Sequence, residues 1–307
     1  MLASRIPKSR RLPSAALLAG AVVWGLIWYP YRVVEAAGMG GVTATLITYG
    51  LAFLLGLLPL WPVLRRTRPS IWLFALGLMA AGTNLGYVLG ALDGEVMRVL
   101  LLFYLSPLWT VLLSRVMLGE RLSRTGAGVI ALSLGGAMVM LWQPALGLPW
   151  PQGRAEWLGL MAGVCFAAVN VMVRRTAHIA IEQKVMAVFL GVVAVAPVAA
   201  WLRGESPLEQ MAQADAHTWA VLFILGGVLL LVNLVVQYGI TFLAANAAIA
   251  LFLFELVVAA ISSWWLAGEM MGVKEWIGGA MIIAASLFSG HLETATPDRG
   301  SACSRGM

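Results

Sequence analysis

Long runs of apolar residues follow one another along this chain, separated by short polar segments. A run of about 18 residues or more, wound into a helix, is long enough to cross the ~30 Å hydrocarbon core of a bilayer. Inside lipid, a helix satisfies its own backbone hydrogen bonds without water. The pattern predicts an all-α integral membrane protein with ten transmembrane helices. The predicted spans are 14–34, 42–64, 70–91, 96–118, 125–142, 156–173, 184–202, 218–241, 245–267 and 274–292.

The stretch 84–120 recurs at a fixed offset of 149 residues. Asn84 returns as Asn233, and the pair Gly119-Glu120 returns as Gly268-Glu269. Apolar helices share leucines by chance, whereas an asparagine and a Gly-Glu pair are rarer, so these matches carry the argument. The recurrence predicts two halves of five spans each.

The basic residues predict the orientation of these spans. With the N-terminus inside, only five of the twenty Lys and Arg residues fall on the outer side. Because cytoplasmic loops are rich in Lys and Arg, both termini are predicted to be cytoplasmic, in a bacterial inner membrane. Five spans is an odd number, so the second half must cross the membrane in the opposite sense. Inverted-topology repeats of this kind, built around a central cavity, are typical of secondary transporters.

Five segments follow from this topology. They are a basic cytoplasmic arm at 1–13, a first repeat at 14–142, a periplasmic linker at 143–155, an inverted second repeat at 156–292 and a disordered cytoplasmic tail at 293–307. The basic arm favours contact with anionic membrane lipid. The last span of each half is rich in small residues, which suits a peripheral support or a dimer surface. Monomer and homodimer both remain open.

Composition excludes several functional classes. Hydrophobic residues make up 61% of the 307 residues and charged residues 11%, whereas about half of a soluble domain is apolar. The net charge of +6 comes from short loops beside the spans, which indicates membrane topology and no nucleic-acid partner. No phosphate-binding Gly-x4-Gly-Lys-Ser/Thr motif is present, and the two cysteines and three histidines show no metal-binding or catalytic spacing. We expect no enzyme activity, no cofactor and no metal.

Glu255 is the most informative single residue, because it falls near the middle of the ninth span. A charged group at that depth costs about 2.5–3.5 kcal/mol to insert, so it usually faces a cavity, a partner or a proton path. Arg98 and Arg32 are the cations available for a structural ion pair. Binding of a substrate ammonium group and proton coupling are the alternatives.

The fourth span contains the sequence Tyr104-Leu-Ser-Pro107. Pro107 removes a backbone donor and predicts a hinge with a free carbonyl one turn earlier. Such breaks in membrane helices point to a binding site. Tyr104 has a hydroxyl that needs a partner, and Ser106 is the repeat mate of Glu255, so both are predicted to contact substrate.

The first span carries Trp24, Trp28 and Arg32 on one helical face, with Pro30 as a second predicted hinge. Trp24 lies near the middle of the span, where it is predicted to line the cavity. For Trp28, an interfacial aromatic position is the alternative to a substrate contact.

Polar residues also mark the third and eighth spans. Asn84 and Tyr87 are three residues apart, and Asn233 and Gln237 are four apart, with Tyr238 beside them. These side chains are predicted to bind substrate in a hydrated cavity. Hydrogen bonding between helices is the alternative, and both roles are compatible.

Two five-span halves, each with Gly-Glu after its fourth span, resemble the drug/metabolite transporter superfamily, EamA type. Within it, Trp24 with Arg32 and the Tyr104-Leu-Ser-Pro107 sequence are similar to the YddG-type aromatic amino-acid exporters. The resemblance implies a ten-helix inverted repeat and alternating access that exports small metabolites. Tyr104 and Pro107 match the Tyr-Leu-Trp-Pro pattern of that group. Ser106 replaces its tryptophan, and Leu256 stands opposite Pro107, so the chain departs from the pattern where the substrate would be chosen.

Export of aromatic amino acids is therefore the first functional prediction. Trp and Tyr faces accept rings and cations alike. Efflux of cationic or quaternary ammonium drugs, or of other small amino acids, is the alternative. A membrane scaffold or sensor that transports nothing is the third possibility.

Overall fold

The computed structural model describes residues 11–66, 68, 70–94, 96–143, 150–267 and 272–292, and in these residues it contains helices and connections but no strand. The helices are α1 (Arg11–Leu26), α2 (Trp28–Ala36), α3 (Gly41–Leu64), α4 (Ile71–Asp93), α5 (Val96–Phe103), α6 (Ser106–Leu118), α7 (Arg124–Leu141), α8 (Arg154–Arg175), α9 (Ile181–Arg203), α10 (Pro207–Gln213), α11 (Ala216–Phe242), α12 (Ala245–Phe252), α13 (Phe254–Ala267) and α14 (Val273–Leu292).

Nine stretches of the described residues are long and apolar enough to cross a membrane as helices. They are Arg11–Ala36, Gly41–Leu64, Ile71–Ala91, Val99–Leu118, Arg124–Leu141, Arg154–Arg175, Ile181–Arg203, Ala216–Phe242 and Ala245–Leu266. They coincide with the first nine predicted spans. The tenth predicted span falls on α14, whose apolar part, Trp276–Phe288, is shorter. The tenth crossing and the inversion of the second half remain predictions.

Several sequence predictions fall outside the described residues. These are the arm up to residue 10, the linker at 144–149, the tail at 293–307, and the second Gly-Glu pair, Gly268-Glu269. The side chain of Arg98 is also outside them.

Three of the nine spans consist of two helices with a break between them. The first breaks at Ile27, three residues before Pro30, and the fourth breaks at Tyr104, three residues before Pro107. Pro107 occupies the first turn of α6, where its missing N–H has no helical partner to lose. The ninth span breaks at Leu253, which is the repeat mate of Tyr104 at the offset of 149. The repeat therefore extends to the position of the break, although the second copy has no proline there.

Helices of the first half pack closely against helices of the second. Helix α4 lies between α8 and α9, α11 packs on α1 and α3, and α7 packs on α14. Glycines permit the closest approaches: a Cβ at Gly191 would lie 2.1 Å from the Gly77 carbonyl oxygen, and one at Gly136 would lie 2.6 Å from that of Gly278. Small residues in α7 and α14 thus make a contact within the chain.

The first Gly-Glu pair links the end of α6 to the second half. Gly119 ends α6 in the left-handed conformation, with φ 68°, which glycine adopts without strain. Ser123 caps α7 by accepting a hydrogen bond from the Gly126 N–H at 3.0 Å. Glu120 instead accepts one from the Ala245 N–H at the start of α12, at 3.2 Å. The packing of the two halves brings that helix start beside the end of α6.

Candidate binding site between the two halves

The centre of the candidate site is a hydrogen bond between the two halves of the chain. The Tyr104 hydroxyl, at the break between α5 and α6, donates to Oε1 of Glu255 at 2.6 Å. Glu255 lies in the first turn of α13, directly after the break at Leu253. A helix N-terminus favours a carboxylate, so the break supplies part of the stabilisation that this group needs inside a membrane. The two residues that the sequence singled out separately are therefore in contact.

Aromatic rings extend from this pair across four helices. We call Tyr87, Phe103, Tyr104, Phe166 and Phe252 the aromatic cluster. The Phe103 ring lies 5.6 Å from Tyr87, 5.2 Å from Tyr104 and 5.4 Å from Phe166, measured between centroids. Phe166 in turn lies 5.5 Å from Phe252. These tilted and edge-on arrangements are the ones that aromatic pairs prefer.

Several of these side chains are only half-buried, although they come from different helices and touch one another. Tyr87, Phe103, Phe166 and Glu255 all fall in this class, while Tyr104 is buried at 6% exposure. Each of these side chains therefore keeps part of its surface accessible. Ring faces beside one carboxylate form a surface that accepts a planar ring and a cation together.

The two predicted asparagines occupy equivalent environments. Asn84 Nδ2 donates to the Ala80 carbonyl at 2.8 Å, and Asn233 Nδ2 donates to the Leu229 carbonyl at 2.9 Å, each four residues back on its own helix. Asn84 also accepts a hydrogen bond from the Tyr49 hydroxyl at 2.5 Å. Both amides are thus held by protein groups, and neither shares a hydrogen bond with Glu255 in the described part of the chain.

Three more predicted residues are enclosed by the helices. Gln237 is 3% exposed and Ser106 is 1% exposed. Gln237 Oε1 and Ser106 Oγ are buried without a hydrogen-bond partner among the described residues. Tyr238 packs its ring against Phe242, with centroids 4.9 Å apart. None of the three shares a hydrogen bond or ring contact with the aromatic cluster in the described part of the chain.

The predicted residues of the first span share no hydrogen bond or ring contact with the aromatic cluster in the described part of the chain, although Trp24 packs on the same core as Phe252 and Phe166. Trp28 Nε1 donates to Ser262 Oγ at 2.9 Å, which joins α2 to α13. Trp24 is half-buried and packs against the main hydrophobic core. Pro30 lines an apolar groove of about 700 Å³ between the first span and α11. The first span nevertheless packs directly on Glu255, because a Cβ at Gly25, the residue after Trp24, would lie 2.8 Å from the Glu255 carbonyl oxygen.

A polar network joins helices of both halves at the end of the bundle that the sequence assigns to the cytoplasm. Glu120 meets the Ala245 N–H, as described above, and its Oε1 lies 3.8 Å from Arg174 Nε. Arg174 Nη1 donates to the Thr241 carbonyl at 2.8 Å, and Lys184 Nζ donates to the Thr241 hydroxyl at 2.6 Å. Burial raises the pKa of Glu120, while Arg174 and the Ala245 N–H act against that shift. We call these five residues the inner network.

Sequence reasoning missed part of both groups. Phe103 and Phe252 recur at the offset of 149 and were a usable signal, whereas nothing distinguishes Phe166 from a lipid-facing phenylalanine. The hydrogen bond from Ala245 to Glu120 had no local signal, because it joins residues 125 positions apart. Among the described residues, no group of three His, Cys, Asp or Glu side chains is placed to hold a metal ion.

Comparison with known proteins gives consistent matches. The EamA-like transporter family matches residues 12–142 and 153–290. An uncharacterized transporter of Archaeoglobus fulgidus is 26% identical over 283 residues, covering 91% of this chain and 96% of that protein. A riboflavin transporter of Brucella anthropi is 23% identical, covering 76% of this chain and 80% of that protein. For a riboflavin transporter of Rhizobium johnstonii the identity is 26%, with 78% of each chain covered.

Solved structures support the same fold. One crystal structure aligns with a TM-score of 0.76 over 92% of this chain and 99% of that chain, at 17% identity. At that identity the likeness concerns the fold alone.

Proposed function

Because the chain belongs to the EamA-like transporter family, we propose that it exports aromatic amino acids across a bacterial inner membrane by alternating access. The family and the relatives named as transporters indicate a carrier of small molecules and not an enzyme. The substrate, its direction and the mechanism are the proposed part.

The observation that carries the substrate proposal is the Tyr104–Glu255 hydrogen bond at the edge of the aromatic cluster. An aromatic amino acid presents a flat ring and an ammonium group a few bonds apart. The ring packs on Phe103 and Phe166, and the ammonium group replaces the Tyr104 hydroxyl as the partner of Glu255. Asn84 has a second amide N–H that suits the substrate carboxylate.

The pattern of helix contacts supports a two-fold relation between the halves. At the offset that relates the halves, α4 corresponds to α11, while α8 and α9 correspond to the first span and α3. Helix α4 packs on α8 and α9, and α11 packs on α1 and α3. Each contact of α4 with the second half therefore has an equivalent contact of α11 with the first half. We propose that the halves are related by a two-fold axis in the membrane plane, and that they rock about the site between them.

Inverted topology is tested by two cysteines at equivalent positions. Arg124 begins α7 and Val273 begins α14, 149 residues later, and both are exposed. In a background with Cys165 and Cys303 replaced, we expect a membrane-impermeant maleimide to label Val273→Cys in intact cells. Arg124→Cys should react only after the membrane is opened. Labelling of both from one side would contradict the inversion.

A flavin is the second candidate substrate, because two relatives are named riboflavin transporters. The isoalloxazine ring system is planar and would pack on the same rings. Riboflavin lacks an ammonium group, so it would leave Glu255 without a charged partner. The carboxylate therefore favours the amino acid.

Flux into reconstituted vesicles tests the function. We expect labelled tryptophan and phenylalanine to cross well above the rate in protein-free vesicles, and excess unlabelled aromatic amino acid to compete. Riboflavin, threonine and a quaternary ammonium dye complete the panel. A higher flux of riboflavin or of the dye would replace the amino-acid proposal. No flux of any compound, with the fold intact by circular dichroism, would favour a scaffold or sensor.

A further inference from the structure

An open cavity of about 760 Å³ lies beside the inner network, at the end of the bundle predicted to be cytoplasmic. Trp72 at the start of α4, Met117 at the end of α6, and Arg174, Arg175 and His178 at the end of α8 form its walls. The cavity is separate from the aromatic cluster, which shares none of its lining residues.

The charge of this cavity is positive. Among its lining residues Glu120 is the acidic one, and that carboxylate already faces Arg174 and the Ala245 N–H. Arg175 is exposed, and its guanidinium lies over the Trp72 ring at 4.8 Å. Such stacking fixes the plane of the guanidinium and leaves N–H groups at its edge free to bind an anion.

Carbonyl groups at the cavity would repel an anion, and Arg175 reduces this repulsion. The C-terminal ends of α6 and α8 adjoin the cavity, and their carbonyl groups repel negative charge. Arg175 Nη1 donates to the Met117 carbonyl and so covers one of these groups. A guanidinium carries five N–H donors, so others remain for a ligand.

The surfaces that continue from the cavity along the membrane are apolar. Ile71 and Phe74 on α4, and Leu112 and Val116 on α6, are exposed large hydrophobic side chains on the helices that flank the cavity. A soluble anion has no apolar part that would pack on these side chains. A phospholipid needs both features, a basic site for its phosphate and an apolar wall for its acyl chains.

We propose that this cavity binds the phosphate headgroup of an anionic phospholipid from the adjacent leaflet. Arg175, held on Trp72, donates to the phosphate oxygens, and His178 adds a polar contact at the rim. The acyl chains lie along the exposed faces of α4 and α6. A bound phosphate also lies close to Arg174, where it competes with Glu120 for that guanidinium, so the lipid loosens the inner network.

The experiment titrates the full-length protein in detergent with phosphatidylglycerol, phosphatidylcholine or inorganic phosphate, and follows thermal unfolding. We expect phosphatidylglycerol to raise the Tm and the other two to leave it unchanged. Arg175→Gln should weaken the apparent Kd for phosphatidylglycerol at least about tenfold. The matched control is Arg154→Gln at the opposite end of α8, which is also exposed and should keep the wild-type Kd.

A second variant covers the case in which Arg175→Gln does not fold. His178 is exposed, so His178→Glu should fold and weaken the Kd by placing a negative charge at the rim. Wild-type affinity in either folded variant would overturn the proposal. An equal rise in Tm with inorganic phosphate would show that free phosphate, and not a phospholipid, is the ligand. Because no transport is measured, these outcomes are independent of the substrate.

Discussion

Replacing Glu255 by glutamine should raise the apparent KM for an aromatic amino acid about thirtyfold or more. Loss of one member of a buried, hydrogen-bonded charge pair costs about 2 kcal/mol at least, which corresponds to that factor. The substitution keeps the size of the side chain and an acceptor for the Tyr104 hydroxyl, so the contact between the halves survives. The measurement is concentration-dependent uptake by reconstituted vesicles.

Two controls make this result specific. Glu209 is exposed on the short helix α10, so Glu209→Gln should leave both KM and maximal flux unchanged. Tyr104→Phe removes the hydroxyl and keeps the ring, and it should change KM less than Glu255→Gln does. A wild-type KM in folded Glu255→Gln would remove the carboxylate from substrate recognition.

The same variant separates two roles for Glu255. If the carboxylate binds the substrate ammonium group, Glu255→Gln weakens counterflow exchange and gradient-driven uptake alike. If it carries a proton, exchange without a pH gradient continues and only the gradient-driven component disappears. We expect the first result, because Glu255 faces aromatic rings that suit a bound substrate.

Among glycine-to-alanine substitutions at the described glycines, Gly191→Ala should be the most destabilising. The added Cβ would lie 2.1 Å from the Gly77 carbonyl oxygen, and a backbone atom cannot turn aside as a flexible side chain can. Helices α4 and α9 must therefore separate. Overpacking of this kind costs about 1–3 kcal/mol, which lowers Tm by about 3 °C for a central value of about 2 kcal/mol in a chain of this size. Thermal unfolding in detergent is the measurement.

Gly227→Ala on α11 is the matched control. No heavy atom lies within 4 Å of the Cβ position at Gly227. Alanine also favours a helix more than glycine does, so this variant should unfold at the wild-type temperature or slightly above it. Equal Tm values for the two variants would show that α4 and α9 do not touch at their backbones.

Much of the fold follows from the sequence because the bilayer leaves few options. An apolar stretch of about 20 residues in lipid has to be helical, and the positions of nine spans follow directly. The breaks were harder to predict. Pro107 predicts the break at Tyr104, whereas the break at Leu253 has no proline or glycine beside it as a local signal.

The candidate site was predictable in its members but not in its contacts. A carboxylate within a membrane span is rare because it is costly to insert, so the sequence identified Glu255. Its partner did not, since Tyr104 lies 151 residues away and Arg98 or Arg32 were equally reasonable from sequence. Phenylalanines in a span are ambiguous between lipid, core and substrate. Phe166 therefore became visible only once the helices were assembled, whereas the recurrence of Phe103 as Phe252 was a sequence signal.

The missing proline at the second break has a mechanical consequence. Pro107 fixes its bend permanently, because no rearrangement restores the absent donor. At Leu253 the backbone is still nearly helical, with φ −61° and ψ −16°, and its N–H reaches the Ile249 carbonyl at 3.4 Å. We expect the ninth span to straighten more readily than the fourth when its neighbours shift, and to move Glu255 with it. The bend in the first half is therefore fixed by its proline, whereas the bend in the second half is reversible.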